Sequence, residues 1–197
     1  MTKAVLAVDF DDVIAGFNRA FVQYHNEHFG TAISYEGIYT YDMATLYDTD
    51  NQTIHQRVME FCHQHHDRIE PIEGAIESLC KLKKRYQLQI VTSRCESIEA
   101  VTRRWNYRLI DKLFSDAHFT NGFASKYPER KRSKLEVCDM IRAVALIDDA
   151  VSHANEVAAG AGIAVFLPTR PWNKDAELWD GVTRVDGWEE ITAQLLS

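Results

Sequence analysis

The chain predicts an α/β fold: a parallel sheet with helices on both faces and a small helical cap inserted after the first strand. That expectation rests on three features. Short apolar runs alternate with amphipathic segments along most of the chain. The alternation breaks once, between residues 16 and 70. Carboxylates, hydroxyls and a lysine recur at or near the points where the apolar runs end, and in open parallel sheets ligands bind outside the C-terminal ends of the strands.

The first run, residues 4–9, is apolar up to Asp9 and continues into Phe10, Asp11 and Asp12. Continuous apolar runs of this length suit strands buried on both faces. Residues 16–71 then read as the cap, with helical patterns at 17–29 and 52–66 around a turn-rich stretch holding Tyr35, Tyr39, Tyr41 and Tyr47. Pro71 and Gly74 mark the return to a core formed by residues 1–15 and 72–197. From there helical patterns at 73–85, 96–109, 133–142, 151–160 and 187–196 interleave with strand patterns at 87–92, 116–120, 144–148 and 163–167.

Composition narrows the class. A 197-residue chain that is 46% hydrophobic and 26% charged is ordinary globular material. Its net charge of −7 argues against nucleic-acid polymers and against a basic membrane-binding face. Cys62, Cys80, Cys95 and Cys138 form no paired motif and read as reduced thiols, and neither a signal peptide nor a membrane-length apolar stretch is evident. A cytoplasmic location follows as the expectation. The expected partner is a small metabolite, and a homodimer is compatible with the sequence but required by nothing in it.

The chemistry gathers at four places. Asp9, Asp11 and Asp12 crowd the end of a buried strand, where like charges are costly to desolvate and a hard divalent cation offsets the cost. Asp148 and Asp149 end another strand. Alone they would read as turn or cap residues, but beside Asp9 and Asp11 one carboxylate from each strand could share a Mg²⁺ ion. Thr92, Ser93 and Arg94 end the second strand. Ser93 with Glu96 reads as a capping box, and a helix N-terminus there is also an anion site. Lys134 follows Lys131, Arg132 and Ser133, with Ser133 and Glu136 forming a second capping-box pattern; basic residues at a helix start suggest a nearby anion. Asp48-Thr49-Asp50 reads as a turn, and His63, His65 and His66 as a solvated face without metal-ligand spacing. Arg170-Pro171-Trp172-Asn173 either packs structurally or lines the site.

These four spots, in this order, resemble the haloacid-dehalogenase-like hydrolase superfamily, with its Rossmann-like core. Residues 5–17, Pro71–Ala75 and Ile90–Arg94 resemble, more narrowly, the cytosolic and mitochondrial 5'(3')-deoxyribonucleotidase family and its bacterial relatives. The resemblance implies a Mg²⁺-dependent phosphomonoesterase, most naturally a 5'-nucleotidase on (deoxy)nucleoside monophosphates. Asp9 would be the nucleophile and Asp11 the general acid and base. Thr92, Ser93 and Lys134 would bind phosphoryl oxygens. Asp9, the Asp11 carbonyl and Asp148 would hold Mg²⁺. Phe17 and Arg94 would face the substrate, Phe17 falling where related nucleotidases place an aromatic residue near the base. One departure stands out: Asp12 occupies a position where the family usually has Gly, whose role is to ease the tight turn. A phosphatase on another phosphorylated metabolite, a dehalogenase on the same fold, and a non-catalytic phosphate-binding domain are the alternatives; Asp11 argues against the dehalogenase, and the retained Asp9, Asp11 and Lys134 against the non-catalytic domain.

Overall fold

Strand alternation divides the interior into two cores. Leu6 and Val8, Leu88 and Ile90, Ala145 and Ile147, and Phe166 face one side, whereas Ala7, Val91, Leu146, Val165 and Leu167 face the other. The computed structural model describes residues 3–110, 113–122 and 130–197. In chain order the elements are β1 (Ala4–Val8), α1 (Phe17–Phe29), α2 (Met43–Leu46), α3 (Asn51–Gln64), α4 (Ala75–Leu82), β2 (Tyr86–Thr92), α5 (Glu99–Ile110), β3 (Phe114–Phe119), α6 (Lys134–Ile141), β4 (Ala143–Ile147), α7 (Val151–Ala161), β5 (Ala164–Pro168), β6 (Val182–Val185) and α8 (Trp188–Leu196). The strands pair in parallel in the order β3-β2-β1-β4-β5-β6.

Helices cover both faces. Leu79 and Leu82 of α4, Trp105 of α5 and Ile191 and Leu195 of α8 pack on the first core. Val137 and Cys138 of α6 and Ala154, Val157 and Ala158 of α7 pack on the second. Full burial of each large apolar side chain contributes about 1.5–3 kcal/mol, so both faces drive folding. The order places β1 and β4 side by side at the point where the connections reverse direction across the sheet, which is where ligand crevices form.

Two local expectations change. The segment Val-Thr-Arg-Val forms β6, an edge strand too short and too polar to stand out as a run. Ser93 does not cap the next helix: a 3₁₀ turn begins at Glu96, and Asn121 Oδ1 accepts the Glu96 N–H at 2.9 Å in place of the Ser93 hydroxyl. The Ser133–Glu136 capping box is present in both directions.

Residues between β1 and α4 rise as a helical unit whose two ends run side by side. Gly16 N–H donates to Glu70 O at 2.8 Å, and Ile72 N–H to Ile14 O at 2.8 Å. The unit has an aromatic core of Phe17, Phe21, Tyr24, Tyr47 and Phe61. Of the four tyrosines in its turn-rich stretch only Tyr47 is buried; Tyr39 and Tyr41 are exposed. Asp48 takes a left-handed turn (φ 47°) and Asp50 caps α3, so the second Asp-x-Asp is indeed a turn. Among the described residues no helix is long and apolar enough to cross a membrane.

Candidate active site

The parallel ladder delivers its carboxylates together. Asp9 N–H donates to Ile147 O at 2.9 Å, extending the β1–β4 pairing one residue past β1 and setting Asp9 beside the end of β4. There Asp9, Asp148 and Asp149, all buried, bring one ligand oxygen each within 4.8 Å of one another. Lys134, the first residue of α6, inserts between two of them. Its Nζ lies 2.9 Å from Asp9 Oδ1 and 2.6 Å from Asp148 Oδ2, with the ammonium itself buried. The capping box fixes the helix start that carries it, and Arg132 N–H donates to Thr120 O at 2.9 Å just before it.

Charge in this cluster is unbalanced. Three carboxylates face one ammonium. Burial, only partly countered by Lys134 and reinforced by Asp148, pushes the Asp9 carboxyl up to about 6. Burial, then Asp9 and Asp12, drive Asp149 well above the usual carboxylate range. Burial also opposes ionisation of Asp148, but Lys134 and then His153 outweigh it and hold Asp148 down at about 2. His153 Nδ1 stands 3.7 Å from Asp148 Oδ1, and Ala150 N–H donates to the same oxygen at 2.9 Å. Buried hard-oxygen donors with excess negative charge fit a hard divalent cation.

Asp11 points elsewhere. Arg94 Nε and Nη2 donate to its Oδ2 and Oδ1 at 2.8 and 2.7 Å. Arg94 is itself buried, donates from Nη1 to Thr102 Oγ1 at 2.9 Å and lies over the Phe10 ring at 4.5 Å. Thr92 is buried, its Oγ1 accepting the Arg94 N–H at 3.2 Å. Ser93 Oγ is buried and makes no hydrogen bond with the described residues.

Asp12 explains its own departure from glycine. It adopts φ 55°, a left-handed turn that Asp tolerates better than most residues. Its carboxylate does not join the cation cluster but accepts the Asn18 N–H of the first turn of α1 at 3.1 and 3.2 Å. Burial, then Asp11, still push the Asp12 carboxyl well above the usual range, and the Asn18 N–H counters them only in part.

Asp11, Ser93, Arg94, Lys134 and Asp149 all line one cavity of about 530 Å³. Its far wall comes from the helical unit and includes Phe17, Ile38, Met43, Leu46, Ile54 and Val58. Phe17 is mostly buried, stacked on Phe21 at 5.5 Å and edge-on to Phe61 at 5.7 Å, so it belongs to the aromatic core and to the cavity wall at once. His63, His65 and His66 take no part in the carboxylate cluster.

The structure adds residues that sequence reasoning left unassigned. Asp149 joins Asp9 and Asp148 in the cluster. The segment after β5 serves the same place: Arg170 Nε donates to Asp12 O at 2.8 Å, Trp172 Nε1 to Asp149 Oδ2 at 2.9 Å, and Asn173 Nδ2 to Asp149 O at 2.9 Å. The only sequence signal was their position after a core strand.

The fold is that of known hydrolases. Over 98% of both chains it superposes on the haloacid dehalogenase-like family hydrolase SP0104 of Streptococcus pneumoniae, with a TM-score of 0.70 at 13% identity. It matches the HAD hydrolase YfnB of Bacillus subtilis, a structure bound to magnesium, with a TM-score of 0.61 at 17% identity over 100% of both chains. A Lactobacillus plantarum protein named as a phosphoglycolate phosphatase gives a TM-score of 0.61 at 18% identity, covering 99% of this chain and 100% of that one. No curated protein matches the sequence. The family described as 5' nucleotidase, deoxy (pyrimidine), cytosolic type C protein matches residues 3–196. With its Rossmann-like sheet and this match over nearly its whole length, the chain is a phosphoric monoester hydrolase of the HAD superfamily and belongs to the cytosolic type C 5'-nucleotidase family.

Proposed function

We propose that this phosphatase is a Mg²⁺-dependent 5'-nucleotidase acting on (deoxy)nucleoside monophosphates. The observation that carries the reading is the buried Asp9–Lys134–Asp148–Asp149 cluster beside a cavity whose opposite wall is apolar and aromatic. Phosphate chemistry suits the first side and a flat base suits the second.

In this reading an Asp9 carboxylate oxygen attacks phosphorus, a P–O(Asp9) bond forms, and the ester P–O bond breaks. Asp11 passes a proton to the departing ribose oxygen. Asp11 then takes a proton from water as the water oxygen attacks phosphorus, and the P–O(Asp9) bond breaks to release phosphate and restore the carboxylate. Lys134 and the hydroxyls of Thr92 and Ser93 stabilise charge on the phosphoryl oxygens. Asp9, Asp148 and Asp149, with the Asp11 carbonyl, would hold Mg²⁺, which supplies charge neutralisation on the phosphoryl group. Residues 16–71 would act as the cap that selects the leaving group, on a catalytic core of residues 1–15 and 72–197. The four free thiols suit a cytoplasmic enzyme.

A hydrolysis screen over deoxyribonucleotides, ribonucleotides and sugar phosphates, each with Mg²⁺ and with EDTA, tests the proposal. Nucleoside monophosphates should lead, and EDTA should abolish turnover. Sugar phosphates outperforming every nucleotide would leave a general phosphatase, and undiminished activity in EDTA would remove the metal.

A further inference from the structure

We propose that Trp172 is a positioning residue for the divalent cation: its indole N–H holds Asp149 in place beside Asp9 and Asp148. The inference rests on the reading of the carboxylate cluster as the Mg²⁺ site, and goes beyond it by assigning a residue that touches neither metal nor substrate.

Asp149 needs an external hold. It lies at the strand end among the carboxyl groups of Asp9, Asp12 and Asp148, with the Lys134 ammonium opposing them. Ionised, as a cation ligand must be, it would be repelled by the other carboxylates. The described structure pins it at two points from one short segment. Trp172 Nε1 donates to Asp149 Oδ2 at 2.9 Å, and Asn173 Nδ2 donates to Asp149 O at 2.9 Å.

That segment is itself immobilised. Asn173 Nδ2 also donates to Pro168 O, its Oδ1 accepts the Arg170 N–H, and Arg184 Nη1 donates to its carbonyl at 2.8 Å. Arg170 Nε reaches across to Asp12 O at 2.8 Å, tying the segment to the turn that follows Asp11. The Trp172 ring meets Tyr35 edge-on at 5.9 Å, so the indole plane is set from the cap side too.

An indole has one donor and no acceptor. Trp172 therefore cannot ligate a cation; what it can do is occupy a lone pair of Oδ2 and fix the orientation of the carboxylate. Hydrogen-bond partners behind metal ligands change affinity by about 10–100-fold when lost.

The test is calorimetric titration of the metal-free full chain with MgCl₂. Trp172→Phe should weaken Mg²⁺ binding about tenfold. Replacement of Trp172 by benzothienylalanine, which keeps the ring shape but substitutes sulfur for N–H, should do the same and covers the case in which Phe disturbs folding. In an Asp149→Ala background neither replacement should weaken binding further, because the acceptor of the indole N–H is gone. Trp179→Phe, at an exposed indole, should leave affinity unchanged. Wild-type affinity in the benzothienylalanine protein, or an undiminished loss in the Asp149→Ala background, would overturn the role of Trp172. A wild-type protein that takes up no Mg²⁺ would instead overturn the reading of the cluster beneath it.

Discussion

Arg94 meets Asp11 with two parallel hydrogen bonds, Nε to Oδ2 and Nη2 to Oδ1, across 83 positions of sequence. Such a fork fixes the plane of a carboxylate as well as its place. Each Asp11 oxygen gives one lone pair to Arg94 and keeps another for a proton or a leaving group. The guanidinium is in turn fixed by Thr102 and by the face of Phe10. Arg94 thus orients the proposed acid and base from beneath.

Arg94→Lys tests that relationship. A lysine keeps the charge but has no planar fork. Turnover of alkyl phosphates should fall by tenfold or more on the scale of about 10²–10⁴ for a lost acid. Turnover of p-nitrophenyl phosphate should fall less, because nitrophenolate departs with little protonation. Removing the cation altogether by Arg94→Ala should cost less stability than the about 3–5 kcal/mol of a fully buried pair, since the Asp11 side chain is 28% exposed. Equal losses for both ester classes in Arg94→Lys would show that Arg94 does not act through Asp11.

Lys134→Met removes the single ammonium among three buried carboxylates. The metal-free variant should melt well below wild type, because breaking a buried pair costs about 3–5 kcal/mol. A divalent cation replaces the missing charge, so Mg²⁺ should raise the melting temperature of the variant more than that of wild type. Catalysis should remain about 10²–10³-fold down even with saturating Mg²⁺, as for loss of one charge-stabilising donor. A Mg²⁺-induced rise no larger than in wild type would contradict this charge balance.

Much of this site could be read in the sequence because its parts end strands. Asp9, Thr92 and Asp148 each follow an apolar run, and parallel strands carry their ends to one edge of the sheet. The capping box announced where α6, and hence Lys134, would begin. Contacts without a local signal stayed hidden. The Arg94 fork, the Trp172 hydrogen bond and the Asn121 substitute for the Ser93 cap join residues distant in sequence, and no periodicity encodes them. β6 escaped for a different reason: four residues with two polar side chains on a sheet edge give neither a buried run nor a strong alternation.

Substitutions at Phe17 test the proposed base recognition separately from the stability of the helical unit. Its ring contacts Phe21 and Phe61 and also faces the cavity. Phe17→Ala should therefore lower the unfolding free energy by about 3–5 kcal/mol. It should also raise KM for nucleotides about tenfold, as stacking on a base is worth about 1–3 kcal/mol. The milder Phe17→Leu preserves most of the packing and loses the aromatic face. It should raise KM for nucleotides while sparing p-nitrophenyl phosphate. Parallel losses for both substrates in Phe17→Leu would leave Phe17 as a core residue only.

His25 should make the helical unit between β1 and α4 sensitive to acid. The imidazole is fully buried, with Nδ1 2.9 Å from Thr31 Oγ1 and Nε2 2.9 Å from Arg57 Nη1. Thr31 gives its own proton to Asn26 Oδ1 at 2.6 Å, so it accepts from His25 Nδ1–H. Arg57 can only donate, so Nε2 accepts. Arg57 thereby requires Nε2 unprotonated and Thr31 requires Nδ1–H, which together select the neutral Nδ1–H tautomer. Burial first, then the Arg57 charge, lower the His25 pKa from 6.5 to about 4. The unfolded chain takes up this proton near pH 6.5 while the folded one refuses it, so stability from the neutral ring is complete above pH 6.5 and declines as pH falls toward 4. The full loss amounts to about 3 kcal/mol. His25→Gln offers Arg57 an acceptor and Thr31 a donor without titrating. Denaturant melts of both proteins between pH 7.5 and 4.5 give the contribution of His25 by difference: wild type should lose stability faster than the variant below pH 6.5, and parallel profiles would eliminate His25 as the source.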